Sequence, residues 1–429
     1  MPLTQVQPGG RCPVGPPTTD QLMQARTDRE AISAGFSTAI IAIALIVWAS
    51  ATAGVQAGFD KLQNQQNPSR STGNRANPGW GNQSPDAEAE LQTGIALTRR
   101  GLFRDAIPHF LAAQGHVLNE YAADFNLALC YVGTNQFKRA IQVLSDLRNG
   151  GHSTAEVNNL LAQAYIGDSQ NEQAFAAFQR AASLAPENEK LYVLVADACT
   201  DHKNYALGVK VVDLGLQHLP NSARLHYERG MFLSFLDRLD LGKRDLELAS
   251  TLDPSSDIAY IAAGQKDMLE GNISEAIRVA REGIEKGHQN YILLTILGVA
   301  LTRSGVSPGE PEFAEAQTAL EKSVAEHPND SSSEAALGKL CILGNRLDDA
   351  VAHLEIARQL DPSNKSVYSN LATAYRRQGK IQEAKNILAI LAKLNDEEAA
   401  TIRSTPDEHK GIYGAPGTGQ GTQEPPHKK

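Results

Sequence analysis

Residues 155–188 read AEVNNLLAQAYIGDSQNEQAFAAFQRAASLAPEN. Two helical patterns share these 34 residues. Leu161 and Tyr165 mark the first, and Ala174, Phe178 and Ala181 the second, at the three- and four-residue spacing of an amphipathic helix. Pro186 closes the stretch, because proline has no backbone N–H to continue a helix.

The same punctuation recurs on both sides. Pro186, Pro220 and Pro254 stand 34 residues apart, in Leu184-Ala185-Pro186, His218-Leu219-Pro220 and Leu252-Asp253-Pro254. Pro328 and Pro362 are also 34 apart. The step from Pro254 to Pro328 is 74, two periods plus six residues, and His288 stands where the missing proline would fall. Gly305-Val306-Ser307-Pro308-Gly309-Glu310-Pro311 absorbs the extra six as a longer loop. With each proline at the thirty-second place, nine units begin at residues 87, 121, 155, 189, 223, 257, 291, 331 and 365.

Two columns are then small throughout. The eighth place holds Gly94, Ala128, Ala162, Ala196, Gly230, Gly264, Gly298, Gly338 and Ala372. The twentieth, shifted by six in the seventh unit, holds Ala106, Ala140, Ala174, Gly208, Gly242, Ala276, Ala316, Ala350 and Ala384. Small residues at these places let two antiparallel helices approach to about 8–10 Å. Leu127, Tyr131, Leu371, Tyr375 and Leu388 supply bulk beside them. One pair cannot bury both of its faces, so the units must stack. The expected fold is an all-α solenoid of about nine helix-turn-helix units over residues 87–398, preceded by one transmembrane or signal helix.

This pattern resembles the tetratricopeptide repeat. The resemblance implies a right-handed superhelix whose first helices line a concave, protein-binding face. The chain departs from the family at the fourth place, where Tyr192, His226, Tyr260 and Tyr368 replace Trp. In the sixth unit Asp267, Ala280 and Gly283 are polar or undersized, which predicts loose packing there. Cys199 and Cys341 fall in a Tyr column and read as core.

The amino-terminal segment has another character. Residues 1–30 are expected to be disordered. Ala31 to Phe59 is a run of 29 residues without a charge. Residues 35–55 are long enough to cross a hydrocarbon core of roughly 30 Å. Two readings stand. The segment is either an uncleaved signal anchor, or a signal peptide cut near Ala49-Ser50-Ala51 or Ala51-Thr52-Ala53. Both place the solenoid outside the cytoplasm, in the periplasm for a bacterial source. Residues 60–86, rich in Asn, Gln, Gly and Pro, read as a flexible linker. Residues 399–429 read as a capping turn and a disordered tail.

The chain of 429 residues carries a net charge of −9, which argues against nucleic acid as a partner. Four scattered Cys make no CxxC pair, the eleven His show no metal-ligand spacing, and no catalytic motif is present. No cofactor, metal or small-molecule substrate is expected, nor an enzyme. Partner contacts are expected at the second, fifth and ninth places of the first helices. Leu91, Ile95, Phe125 and Leu129 would form an apolar patch, followed by Tyr227 and Met231. Lys339, Asn370, Arg376 and Arg377 would form a basic cluster for an acidic peptide. The functional expectation is a membrane-anchored scaffold that binds protein segments and helps assemble an envelope complex. The alternatives are a soluble exported protein and a non-catalytic regulatory subunit of an enzyme.

Overall fold

The computed structural model describes residues 85–404, and every regular element there is helical. Contacts divide the chain into two units, the first ending at Gly271 and the second starting at Asn272.

The first unit holds α1 (Pro85–Arg99), α2 (Phe103–Ala113), α3 (Glu120–Gly133), α4 (Phe137–Asn149), α5 (Ala155–Gly167), α6 (Asn171–Leu184), α7 (Glu189–Asp201), α8 (Tyr205–His218), α9 (Ala223–Phe235), α10 (Leu239–Leu252) and α11 (Asp257–Glu270). The second holds α12 (Ile273–Glu285), α13 (Tyr291–Ser304), α14 (Pro311–Glu326), α15 (Ser331–Leu343), α16 (Leu347–Leu360), α17 (Lys365–Arg377) and α18 (Ile381–Ser404). Odd-numbered helices are the first of each pair. The unit boundary falls within the sixth pair, where Asp267 is buried.

The small columns sit where paired helices touch. Ala128, Ala162, Ala174 and Ala350 are buried. At Gly242 a Cβ would lie 2.8 Å from the carbonyl oxygen of Gly230. There α9 and α10 meet backbone to backbone, which no side chain at either position would allow.

The turn inside each pair has one conformation. The fifteenth place has positive φ in all nine pairs: Gly101, Asn135, Ser169, Lys203, Asp237, Gly271, Gly305, Asn345 and Gly379. A left-handed residue reverses the chain after the first helix. It costs a non-glycine residue roughly 1–2 kcal/mol, less for Asn or Asp. Ser169→Gly should therefore raise stability by about 0.5–1 kcal/mol, after the greater freedom of glycine in the unfolded chain is deducted. Chemical denaturation of the two chains side by side measures this, and a loss of stability would contradict it.

The fourth-place residues tie one pair to the turn before it. The Tyr192 hydroxyl donates to the carbonyl of Pro186 at 2.9 Å, and that of Tyr368 to Pro362 at 2.7 Å. His226 Nε2 lies 3.0 Å from the Pro220 carbonyl. The same place also latches the two helices of a pair, through Glu90 with His109, His226 with Asp245 and Glu334 with His353. Arg229 reinforces the middle latch by bonding both Asp245 and Asp213. Cys130, Cys199 and Cys341 are buried free thiols.

No helix among the described residues is long and apolar enough to cross a membrane. The expected span at 31–59, its leader, the linker up to residue 84 and the tail after residue 404 all lie outside the described residues. Helix α18 runs unbroken to Ser404, so residues 399–404 continue that helix.

Candidate functional site

First helices pack on one another along each unit. In the first unit α1 touches α3, α3 touches α5, α5 touches α7, α7 touches α9 and α9 touches α11. In the second, α13 touches α15 and α15 touches α17. Among second helices of the described residues only α6 and α8 come as close. First helices therefore form the tighter row, and their lateral faces are interfaces rather than surface.

That packing corrects the expected apolar patch. Phe125 and Leu129 are fully buried in the core, with Leu91 beside them. Ile95 is half-buried against the same cluster. Tyr227 is buried and Met231 half-buried. The fifth and ninth places face the neighbouring first helix, so an apolar residue there is already covered. The equivalent residues of α5 show the geometry: Asn159 Nδ2 donates to the Leu191 carbonyl on α7 at 2.7 Å, and Gln163 donates to Asn159 at 2.8 Å.

The basic cluster is partly dispersed. Lys339 and Asn370 are half-buried and Arg376 is exposed. Arg377 donates to the Ile342 carbonyl at 2.6 Å and to Asn345 Oδ1 at 3.0 Å, which ties α17 to the end of α15. At ~100° per residue, Asn370 and Arg376 point about 120° apart, so one ligand group would not meet both.

A polar cluster on α7 and α9 joins Asp197 and Arg224, at the expected ninth and second places, to Glu228 and Asp201, which sequence reading did not single out. Arg224 bonds Glu228 at 2.7 Å and approaches Asp197 to 4.0 Å, and its guanidinium lies 5.9 Å from the centre of the Tyr227 ring. Burial pushes the Asp197 carboxyl up to about 7, Glu228 adding to the rise and Arg224 opposing it. Burial pushes Asp201 up to about 6. Glu228 is raised too, by burial that outweighs Arg224. Arg224 stays cationic because Glu228 and Asp197 overcome its own desolvation. Two carboxyls thus flank one guanidinium, with Asp201 acting on Asp197 from beyond, and the environment favours an added cation over an added anion. The signal in the sequence was the Arg224–Glu228 spacing of four, with Asp197 one unit earlier at the ninth place.

The second unit has a polar cluster that is closed on itself. Thr295 and Ser333 donate to Asp330 Oδ2 at 2.7 and 2.5 Å, and Ser323 is 3.4 Å from the same oxygen. Asp330 also caps α15 through Ser332 N. The network binds α13, α14 and α15 together. Among the described residues no group of His, Cys, Asp and Glu is placed to hold a metal ion.

The tetratricopeptide repeat family matches residues 91–153, 155–188, 312–365 and 345–404. The TPR repeat-containing protein YpiA of Bacillus subtilis is 23% identical over 298 residues, which cover 68% of this chain and 60% of YpiA. The human mitochondrial import receptor subunit TOM70 is 27% identical over 128 residues, 29% of this chain and 21% of TOM70. The chain thus spans less than two thirds of either relative. Among solved structures, the APC/C hetero-tetramer Cut9–Hcn1 aligns with a TM-score of 0.44 at 16% identity, covering 72% of this chain and 66% of that one. A tetratricopeptide repeat protein from Parabacteroides merdae aligns with a TM-score of 0.42 at 14% identity, covering 68% of this chain and 99% of that one.

Proposed function

From a chain that carries tetratricopeptide repeats, a scaffold suited to protein–protein interaction, we propose that the protein is a membrane-anchored adaptor. Residues 35–55 anchor it, and the repeats stand outside the cytoplasm. There they bind segments of other proteins and help assemble or stabilise an envelope complex. Proteins built of such repeats are generally non-catalytic scaffolds, and the adaptor reading gives this chain the same role.

One observation supports recognition by charge rather than by apolar anchors. The large apolar residues of the first helices, Leu91, Phe125 and Leu129, are consumed in the core. Charged and polar side chains stay accessible in that row: Asp197 and Arg224 in the first unit, Lys339, Asn370 and Arg376 in the second. Charged contacts steer encounter and set partner choice more than they supply raw affinity.

The test is affinity capture with the full-length chain followed by mass spectrometry. Lys339→Glu with Arg376→Glu should abolish capture of an acidic partner, and Asp197→Asn with Asp201→Asn that of a basic one. Circular dichroism should stay unchanged in both. Full capture by both variants would end the charge-based reading.

The anchor is tested separately. The mature protein should retain Arg26 and pellet with membranes after alkaline extraction. A mature amino terminus at or near Gly54 would instead establish a soluble exported protein, which the Ala49-Ser50-Ala51 and Ala51-Thr52-Ala53 sites favour as the second reading.

A further inference from the structure

Helix α18 carries an apolar face that nothing among the described residues covers. In the preceding pair, Leu354 of α16 is fully buried in a cluster with Val367, Tyr368 and Leu371 of α17. Leu388 stands 34 residues later, at the same place of α18, and is 40% exposed. Ala357 is buried under α17, whereas Leu391, its counterpart, is only half-buried. Ile381, at the start of α18 and two turns before Leu388, is 52% exposed on the same stripe, and Ala392 and Asn395 continue it. Repetition of the structure calls for another helix on this face. The 25 residues that follow α18 include Gly411, Gly414, Pro416, Gly417, Gly419, Gly421, Pro425 and Pro426, a composition with poor helix propensity.

We propose that the missing helix is α18 of a second copy of this chain, packed antiparallel along the Ile381–Asn395 stripe. Three properties of α18 fit that occupant. It has 24 residues, against 14 in α16, so it offers a long contact. The stripe from Ile381 to Asn395 is about 21 Å long at ~1.5 Å per residue, and a two-fold axis near residue 390 overlaps residues 385–395 of the two copies over about 15 Å, enough for side chains to interleave. Its charges are also self-complementary. Lys385 and Asp396 are both exposed and lie eleven residues apart, close to three whole turns, so they share one flank of the stripe. An antiparallel two-fold brings like flanks together. It therefore sets Lys385 of each copy beside Asp396 of the other, with Leu388 near Ala392 at the centre. A parallel pairing would set the two Lys385 on opposite sides of the contact, neither beside Asp396.

The full-length solubilised chain should sediment as a dimer of twice 46.1 kDa and dissociate on dilution. Leu388→Glu should weaken the dimer roughly tenfold or more, because it places a charge at the centre of the contact. Lys385→Glu and Asp396→Lys should each weaken it, and the two together should restore it. All three positions are exposed in the single chain, so circular dichroism of every variant should match the parent. A chain that stays monomeric at the highest concentration reached overturns the proposal. So does a dimer indifferent to Leu388→Glu, which would be held elsewhere. A double reversal no better than either single one overturns the antiparallel register. An α18 face covered only when a different protein binds overturns the choice of occupant.

Discussion

Phe125→Asp combined with Leu129→Asp should unfold the amino-terminal unit. Both side chains are fully buried, one turn apart on α3, within the same cluster as Phe103, Phe110 and Leu144. Truncation of a buried Phe costs about 3–5 kcal/mol and of a buried Leu about 2–5 kcal/mol, before any penalty for burying a carboxyl. The sum is not strictly additive for neighbours, but it is comparable to the whole stability of an ordinary domain, about 5–15 kcal/mol. Helical circular dichroism should fall and limited proteolysis should cut between residues 85 and 271. Leu118→Asp is the control, since Leu118 is 74% exposed and should change thermal unfolding little. A double variant that melts as the parent does would mean that α3 faces solvent after all, and would return these residues to the list of partner contacts.

That prediction reverses a plausible inference from sequence. Phe125 and Leu129 occupy places that in a stack of helix pairs can face either a groove or the next first helix. Their apolar character fits both. Distance between first helices decides it, and that distance depends on the rotation from one pair to the next, which no single unit encodes. The pair itself was legible for a simpler reason. Contact between its helices admits only Gly or Ala at two places, as Gly230 and Gly242 show, and such a restriction leaves a visible column.

The turn left no column. Gly101, Asn135, Ser169, Lys203 and Asp237 share one left-handed conformation but not one residue type, because φ tolerates several side chains at modest cost. The fourth place was visible as a run of Tyr and His, yet its purpose was not. Tyr192 and Tyr368 reach back six residues to a proline carbonyl, so the two halves of one hydrogen bond lie in different units. Polar partners on separate helices, such as Asp197 and Arg224, are equally hidden until the helices are placed side by side.

Arg224→Leu should make the stability of the first unit depend steeply on pH. Burial holds Asp197 at about 7 and Asp201 at about 6 in the folded chain, against about 3.9 for an unfolded Asp. Between those values the folded state binds more protons than the unfolded one. The contribution of these groups therefore falls as pH rises and is most favourable near or below the unfolded value. Arg224 moderates the fall by attracting Asp197 and Glu228. Leucine keeps much of the apolar stem and removes the charge. Asp197 and Glu228 then repel each other without a cation, both carboxyls rise further, and the loss of stability extends above pH 7. Removing one partner of a buried ion pair costs about 3–5 kcal/mol. Arg224 is 32% exposed, so solvent screening sets the loss at the lower end, about 3 kcal/mol near pH 8. Near pH 5 the carboxyls protonate instead, and variant and parent should differ by about 1 kcal/mol or less. Denaturant unfolding at the two pH values separates the causes. An equal loss at both would mean that Arg224 acts through the contact of its guanidinium with the Tyr227 ring, and that its pairing with the carboxyls holds nothing in place.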